Sequence, residues 1–177
     1  MELFGSKTEE NLWTAFAGES QARNKYSYFA KVARKEGYEQ IAAIFEETAG
    51  NEMAHAKIWF KELEGIGTTR ENLQAAAEGE HDEWTSMYKQ FAEEAREEGF
   101  LRLASLFEDV AQIEKEHEKR YLKLLSNLDK DIVFKAGENI VWVCRNCGHI
   151  HIGKEAPDVC QVCGHPKAYF ERKAENF

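Results

Sequence analysis

A segment of 35 residues that occurs twice constrains the fold of this chain more than any other feature. Residues 29–63 align without a gap on residues 91–125, and 15 of the 35 positions are identical. Each copy holds a Glu-x-x-His pair, Glu52/His55 in the first and Glu114/His117 in the second. Two copies of this length indicate a duplicated helical hairpin, because a solenoid needs three or more repeats.

The two Glu-x-x-His pairs predict a metal site. Positions i and i+3 are neighbours on one helix face, and both pairs lie on apolar stripes that we expect to be buried. A buried carboxylate is costly unless it is paired or binds a metal. Four-helix bundles hold two metal ions with such pairs on two helices and a carboxylate from each of two others. Carboxylate and imidazole ligands suit iron or manganese.

Three further glutamates are candidate ligands by their positions. Glu19 interrupts the apolar stripe of the first predicted helix, and Glu80 and Glu83 lie one turn apart on the third. A further pair, Glu78/His81, has no counterpart in the first repeat, and we therefore expect it on the surface.

Helical periodicity predicts four helices, over about residues 8–35, 38–64, 68–98 and 100–126. Ser6 with Glu9 forms a capping box at the start of the first, and Gly37 is placed to end it. The predicted fold class is an all-α four-helix bundle over residues 1–126. Residues 127–138 are the predicted linker, and residues 139–177 form a small β-rich domain.

Charge and composition restrict the partners. The net charge of −9 argues against nucleic acid or an anionic membrane surface, and no apolar run approaches the roughly 20 residues of a membrane span. The first residues lack the basic and apolar regions of a secretion signal. We therefore expect a cytoplasmic protein.

The four cysteines predict a second metal site in the C-terminal domain. Cys144/Cys147 and Cys160/Cys163 are two C-x-x-C pairs separated by 12 residues, and each is followed by a glycine. This layout is typical of a four-sulfur metal site rather than of a disulfide framework. Zinc would make the site structural, whereas iron would make it a one-electron carrier, and the spacing alone slightly favours zinc while leaving iron open.

These motifs together resemble the rubrerythrin family over the whole chain. The resemblance rests on the segment 17–22 (AGESQA), both repeat pairs, the segment 79–83 (GEHDE) and the cysteine pairs. It implies a ferritin-like di-iron bundle joined to a small rubredoxin-like domain with a mononuclear iron on four cysteines. It also implies a non-haem di-iron peroxidase that reduces hydrogen peroxide to water in oxidative-stress defence.

The match to the family assigns a role to each candidate residue. Glu52 and Glu114 would bridge the two irons, and His55 would alternate with Glu83 at one iron as the redox state changes. The implied di-iron ligands are Glu19, Glu52, His55, Glu80, Glu83, Glu114 and His117, of which Glu19, Glu52, Glu83 and Glu114 are the catalytic set. The implied ligands of the mononuclear iron are Cys144, Cys147, Cys160 and Cys163.

Two tyrosines and two departures from the family pattern complete the assignment. Tyr26 and Tyr88 are candidates to hydrogen-bond the ligating carboxylates, and ordinary core positions are the alternative. Gln161 stands where the second cysteine knuckle usually has proline, and His149 stands where the first often has an aromatic residue. Both affect the expected reduction potential and metal preference rather than the existence of the site.

The resemblance also implies partners. An external electron-donor protein, a rubredoxin or an NAD(P)H-dependent reductase, would reduce the cysteine iron. A head-to-tail homodimer would let electrons cross between subunits. Two alternatives stay open: a ferroxidase or iron-storage protein, and a non-catalytic zinc-ribbon adaptor. Glu83 and the fused cysteine domain favour the peroxidase, because iron storage needs neither.

Overall fold

A computed structural model describes residues 2–174, which fall into two units divided after Thr68. The first unit contains the helices α1 (Lys7–Lys35) and α2 (Glu39–Glu62). The second contains the helices α3 (Thr69–Asp82), α4 (Tyr88–Glu97) and α5 (Leu101–Asp129), with a π-helical turn (Glu83–Met87) between α3 and α4. It continues into the strands β1 (Lys135–Cys144), β2 (Ile150–Glu155) and β3 (Phe170–Arg172). The third predicted helix therefore exists, but a π-helical turn interrupts it.

Local signals begin and end α1 as predicted. The backbone N–H of Glu9 donates to the Ser6 hydroxyl oxygen at 3.2 Å, and the Glu9 carboxylate accepts from the Gly5 N–H at 2.6 Å. After the helix, Gly37 has a φ of +87°, a conformation that favours glycine. The Tyr38 N–H then donates to the Ala33 carbonyl at 2.9 Å, which is a C-terminal glycine motif.

Alanines form the contact inside each helical hairpin. The buried helical alanines are Ala30, Ala33, Ala42, Ala49 and Ala56 in the first unit, and Ala77, Ala92, Ala95, Ala104 and Ala111 in the second. Small side chains let the paired helices approach closely, and ring contacts such as Phe29–Phe45 flank this close approach.

The larger apolar side chains of the stripes that were predicted to be buried are exposed to solvent within each unit. Phe29 and Ile41 are 47% and 48% exposed, and their repeat counterparts Phe91 and Leu103 are each 36% exposed. The expectation of burial is therefore wrong for a hairpin taken by itself. Two packed helices cover only the residues that lie between them, and the remaining stripe needs a further partner.

The structure confirms the internal repeat in detail. The Phe29 and Phe45 rings lie 5.7 Å apart between centroids, and the rings of their counterparts Phe91 and Phe107 lie 5.6 Å apart. A matching ion pair also joins the helices of each hairpin, Arg34–Glu46 at 2.9 Å in the first and Arg96–Glu108 at 2.7 Å in the second. The two hairpins are therefore duplicates in packing as well as in sequence.

Helix α5 continues to Asp129, three residues into the segment predicted as linker. It ends where Asp131 takes a φ of +52° and the Ile132 N–H donates to the Asn127 carbonyl at 2.9 Å. Among residues 2–174, no helix combines the length and the apolar composition needed to cross a membrane.

The three strands form an antiparallel sheet in the order β2-β1-β3. Its core is centred on Trp142, which is 0% exposed and donates its indole N–H to the Gly153 carbonyl at 3.0 Å. Phe170, Cys144 and Cys160 are buried against it. The core and the cysteine site therefore share residues, so folding of this small domain depends on the site.

Candidate metal centres

The first hairpin brings together three of the predicted ligands. Glu19 on α1 and Glu52 and His55 on α2 place their donor atoms within 4.8 Å of one another. His55 Nδ1 lies 2.9 Å from Glu52 Oε2. The i, i+3 spacing accounts for the contact within α2, and the alanine packing brings Glu19 close to it.

The second hairpin repeats the arrangement with Glu80, Glu114 and His117. Their donor atoms also lie within 4.8 Å of one another. His117 Nδ1 is 2.6 Å from Glu114 Oε2 and 3.7 Å from Glu80 Oε1. Six of the seven predicted di-iron ligands therefore fall into two matching groups, one in each unit.

Electrostatics in the second group favour a bound cation. Burial, followed by hydrogen bonding and repulsion from Glu114, raises the pKa of the Glu80 carboxyl above its ordinary value. Burial and the negative charge of Glu114 likewise raise the pKa of Glu83. Crowded carboxylates of like charge become favourable when a cation lies among them. The donor set and its charge therefore fit iron.

Glu83, the seventh predicted ligand, lies beside the second group rather than inside it. It is the first residue of the π-helical turn, which the sequence analysis did not predict. Tyr88 follows this turn, and its pKa is raised by burial and next by the charge of Glu83. The phenol therefore stays protonated and able to donate. The Tyr26 and Tyr88 rings occupy equivalent places, 6.2 Å from Phe45 and 6.1 Å from Phe107.

His81 is exposed, as predicted, but its partner is not Glu78. The Glu78 carboxylate accepts from the Gln74 side chain at 2.5 Å, whereas His81 Nδ1 lies 2.9 Å from Glu118 Oε1. The other oxygen of Glu118 accepts from the Trp84 indole N–H at 2.6 Å. Glu118 is not among the residues predicted from the sequence. The available signal was its place four residues after Glu114, on the same helix face.

The four cysteines form one compact site. Their sulfurs lie within 4.8 Å of one another, with Cys144 and Cys163 Sγ 3.7 Å apart and Cys147 and Cys160 Sγ 3.6 Å apart. Four sulfurs at about 2.3 Å from one ion would be separated by about 3.8 Å, whereas a disulfide needs about 2.05 Å. The spacing therefore fits one metal ion.

Two equivalent turns hold the sulfurs. The Gly148 N–H donates to the Cys144 carbonyl at 2.8 Å, and the Gly164 N–H donates to the Cys160 carbonyl at 2.9 Å. Both glycines have positive φ, +75° and +74°. A backbone hydrogen bond from His165 lowers the pKa of Cys163 to about 5.

The two departures from the family pattern leave these turns intact. His149 acts through its backbone, because its carbonyl accepts from the Cys144 N–H at 2.9 Å and its N–H hydrogen-bonds the Cys147 sulfur. Gln161 is exposed within a turn that closes like the first. Neither position requires the residue that the family pattern usually has.

The helical units and the cysteine domain together define a class of protein: a carboxylate–histidine metal protein fused to a four-sulfur metal domain. Comparison with known families agrees. Residues 10–125 match the family described as "Rubrerythrin", and residues 142–171 match "Rubrerythrin, rubredoxin-like domain".

Individual relatives extend the match over nearly the full length. The chain is 52% identical to a rubrerythrin of Porphyromonas gingivalis, covering 98% of this chain and 93% of the relative. It is 49% identical to a rubrerythrin of Nitratidesulfovibrio vulgaris, covering 96% and 95%. A solved structure of partially reduced nigerythrin is 34% identical, covering 97% of this chain and 91% of that one, with a TM-score of 0.37.

This chain belongs to the rubrerythrin family. Its metal sites are accordingly a di-iron centre and a rubredoxin-like iron site on four cysteines. It is an iron-based oxidative-stress protein of the oxidoreductase class.

Proposed function

We propose that this protein reduces hydrogen peroxide to water at the di-iron centre, with electrons delivered through the four-cysteine iron. The fusion of the two kinds of site in one chain carries the proposal, since a storage protein needs no dedicated one-electron carrier. The reaction consumes one peroxide, two electrons and two protons, and it releases two waters. Breaking the O–O bond therefore requires a two-electron source and a route for renewing it.

The proposed ligands are the seven side chains that the family pattern assigns: Glu19, Glu52, His55, Glu80, Glu83, Glu114 and His117. Glu52 and Glu114 are the proposed bridges, and Glu19 and Glu83 complete the catalytic set. His55 and Glu83 are proposed to exchange at one iron with redox state. The bound iron pair supplies two electrons and Lewis acidity to the reaction.

The protein's own side chains shape the space around that chemistry. On the second hairpin, Tyr88, Phe91 and Phe107 pack ring against ring, with centroids 5.6 to 6.3 Å apart. Once a partner hairpin covers Phe91, this aromatic wall would exclude bulk water and strengthen electrostatic interactions among the carboxylates. The protonated Tyr88 phenol is the proposed hydrogen-bond donor that orients Glu83.

An external donor protein, a rubredoxin or an NAD(P)H-dependent reductase, is the proposed electron source. Cys144 and Cys160 are buried, whereas Cys147 is exposed. Val162 in the neighbouring turn is 67% exposed. One side of the site is therefore open to a docking protein, and the apolar Val162 offers a short-range contact there.

Anaerobic turnover with a rubredoxin and its NADPH-dependent reductase tests the proposal. We expect NADPH oxidation on addition of peroxide, one NADPH for each peroxide. Iron content should stay near three per chain in the presence of ferrous iron and oxygen. Continued uptake of iron with no peroxide-driven NADPH oxidation would instead establish a ferroxidase or storage protein.

We also propose that the protein is a homodimer in which the first hairpin of one copy pairs with the second hairpin of the other. Each hairpin presents three ligands beside large apolar side chains, of which Phe29 and Phe91 remain 47% and 36% exposed. Open apolar faces of this kind require a covering partner. The repeat makes each hairpin a matching partner for the other.

The length of the connection supports pairing between copies. Ferritin-like bundles join their hairpins by one long crossover, whereas here residues 63–68 join α2 to α3. Glu52 lies ten residues before the end of α2, and Glu80 lies eleven residues after the start of α3. In a ferritin-like bundle α2 and α3 would run parallel. To bring Glu52 and Glu80 of one chain to the same height there, the connection would have to span about 32 Å. The connection reaches about 24 Å when fully extended.

A further inference from the structure

The two repeats differ in length at one point, next to the metal ligands. Glu19 and Glu80 are 61 residues apart, whereas Tyr26 and Tyr88 are 62 apart. Between ligand and tyrosine, the second repeat therefore has one additional residue. The alanine packing and the aromatic rings after this point follow the 62-residue offset in both hairpins.

The π-helical turn accommodates this additional residue. The Tyr88 N–H donates to the Glu83 carbonyl, five residues earlier, whereas α1 is continuous over the equivalent stretch. A π-helical turn holds one residue more than the α-helix around it, and such turns frequently occur at functional sites. Glu83 begins the turn, and its counterpart in the first repeat is Gln21 or Ala22, depending on the offset. The insertion therefore coincides with the carboxylate that has no counterpart.

Glu118 on α5 holds this segment from the side. Its two carboxylate oxygens accept from the Trp84 indole at 2.6 Å and contact His81 Nδ1 at 2.9 Å. Trp84 follows Glu83 directly, and His81 precedes it by two residues, so both anchors bracket Glu83. Lys115 adds a cation–π contact, its ammonium 4.9 Å from the centre of the Trp84 ring.

We call the contacts of Glu118 with Trp84 and His81 the clamp, and the first repeat lacks it. The counterpart of Glu118 is Ala56, which is buried in the contact between α1 and α2. The clamp and the inserted residue therefore occur together, on one hairpin only.

We propose that Glu118 is a positioning residue that fixes the π-helical turn and thereby holds Glu83, beside the group of Glu80, Glu114 and His117, where it can exchange with His55 at their proposed iron. This inference rests on the proposed role of Glu83 as a ligand. Without the clamp, the turn loses its lateral anchors and Glu83 samples other orientations. The ligands Glu80 and Glu114 stay in place, because α3 and α5 hold them.

Hydrogen exchange and metal titration of the full-length protein test the proposal. In Glu118→Ala, we expect the Tyr88 amide to exchange about tenfold faster or more, the effect of losing a hydrogen bond to a charged group. Ferrous iron should bind the bundle site that Glu83 is proposed to share with His55 about tenfold more weakly. Trp84→Phe should reproduce part of both changes, and Glu118→Gln should restore them in part, since an amide can still accept from the indole.

Glu116→Ala is the matched control. Glu116 is two residues earlier on α5, is exposed, and pairs only locally with Lys119 at 2.5 Å. An unchanged Tyr88 exchange rate in Glu118→Ala would overturn the clamp. Faster exchange with unchanged ferrous binding would overturn the positioning role. If Glu118→Ala does not fold, Trp84→Phe and Glu118→Gln decide by the same two measurements. Peroxide reduction is absent from these readouts, so failure of the proposed activity remains distinguishable.

Discussion

Pairing of hairpins between copies makes a specific prediction about two ligand variants. Glu52→Ala removes a carboxylate from the first hairpin, and Glu114→Ala removes one from the second. Each variant alone should be inactive, because every centre then lacks one proposed bridge. Their heterodimer differs. With exchanged hairpins, one centre carries both changes and the other carries none.

The expected magnitude follows from the symmetry of the dimer. The heterodimer should keep about half of the wild-type peroxidase activity and about half of the bundle iron. Pairing at random from equal amounts gives heterodimers in about half of the molecules, so the unsorted mixture should show about a quarter of wild-type activity. The structural basis for exchanged hairpins is the connection between α2 and α3, which reaches about 24 Å and so falls about 8 Å short of the span of about 32 Å.

The assay uses co-expressed chains with two different affinity tags, purified through both. Peroxide-dependent NADPH oxidation and iron per dimer are then measured. The reciprocal combination is the control: a chain carrying both changes, paired with a wild-type chain. Exchanged hairpins leave that heterodimer with two damaged centres, whereas bundles formed within one chain leave it one intact centre. Activity in the control and none in the test heterodimer would refute the exchange.

Three further predictions concern the cysteine iron and the carboxylate groups. Cys160→Ser should lose the red colour of iron on four thiolates and stop steady-state turnover, while a chemically reduced bundle still reacts once with peroxide; full turnover with a protein donor would contradict this. Co-purified heterodimers of Cys160→Ser and Glu114→Ala should recover activity if the cysteine iron serves the centre that holds the partner's second hairpin, and inactive ones would show that it serves only the centre that holds its own second hairpin. In the metal-free protein, the raised pKa of Glu80 means that its contribution to stability is complete below its ordinary value of 4.5 and is lost as pH rises through the raised value. Urea unfolding as a function of pH should show this fall in the wild type and a smaller one in Glu80→Gln, and parallel curves would contradict the assignment.

The features that the sequence predicts well are those with local causes. Ser6 and Gly37 begin and end α1 because a cap depends on residues a few positions away. The cysteine turns are equally local, since Gly148 and Gly164 permit each turn by their own backbone conformation. The spacing of each Glu-x-x-His pair places its two side chains together for the same reason.

The features that the sequence analysis missed depend on contacts across the fold. The apolar stripes predict that something covers Phe29 and Phe91, but periodicity does not identify the covering surface. The π-helical turn is hidden because one inserted residue leaves helical composition unchanged. Glu118 is hidden because its contacts with His81 and Trp84 join α5 to residues 34 and 37 positions away.

A duplicated hairpin would by itself give two equal ligand groups, each with two carboxylates and one imidazole. Two irons bound by such groups would have the same surroundings and the same tendency to gain or lose electrons. The second repeat departs from this symmetry through one inserted residue, the additional carboxylate of Glu83 and the anchor at Glu118. An asymmetric pair can respond to a change of redox state at one iron without rebuilding both ligand sets. We therefore infer that the catalytic difference from a symmetric iron-binding bundle is concentrated in the π-helical turn, which makes Glu83→Gln more informative than substitution of a ligand that both repeats share. Glu83→Gln should lower peroxide turnover while both irons remain bound. Loss of one iron would instead show that Glu83 acts mainly in holding the metal.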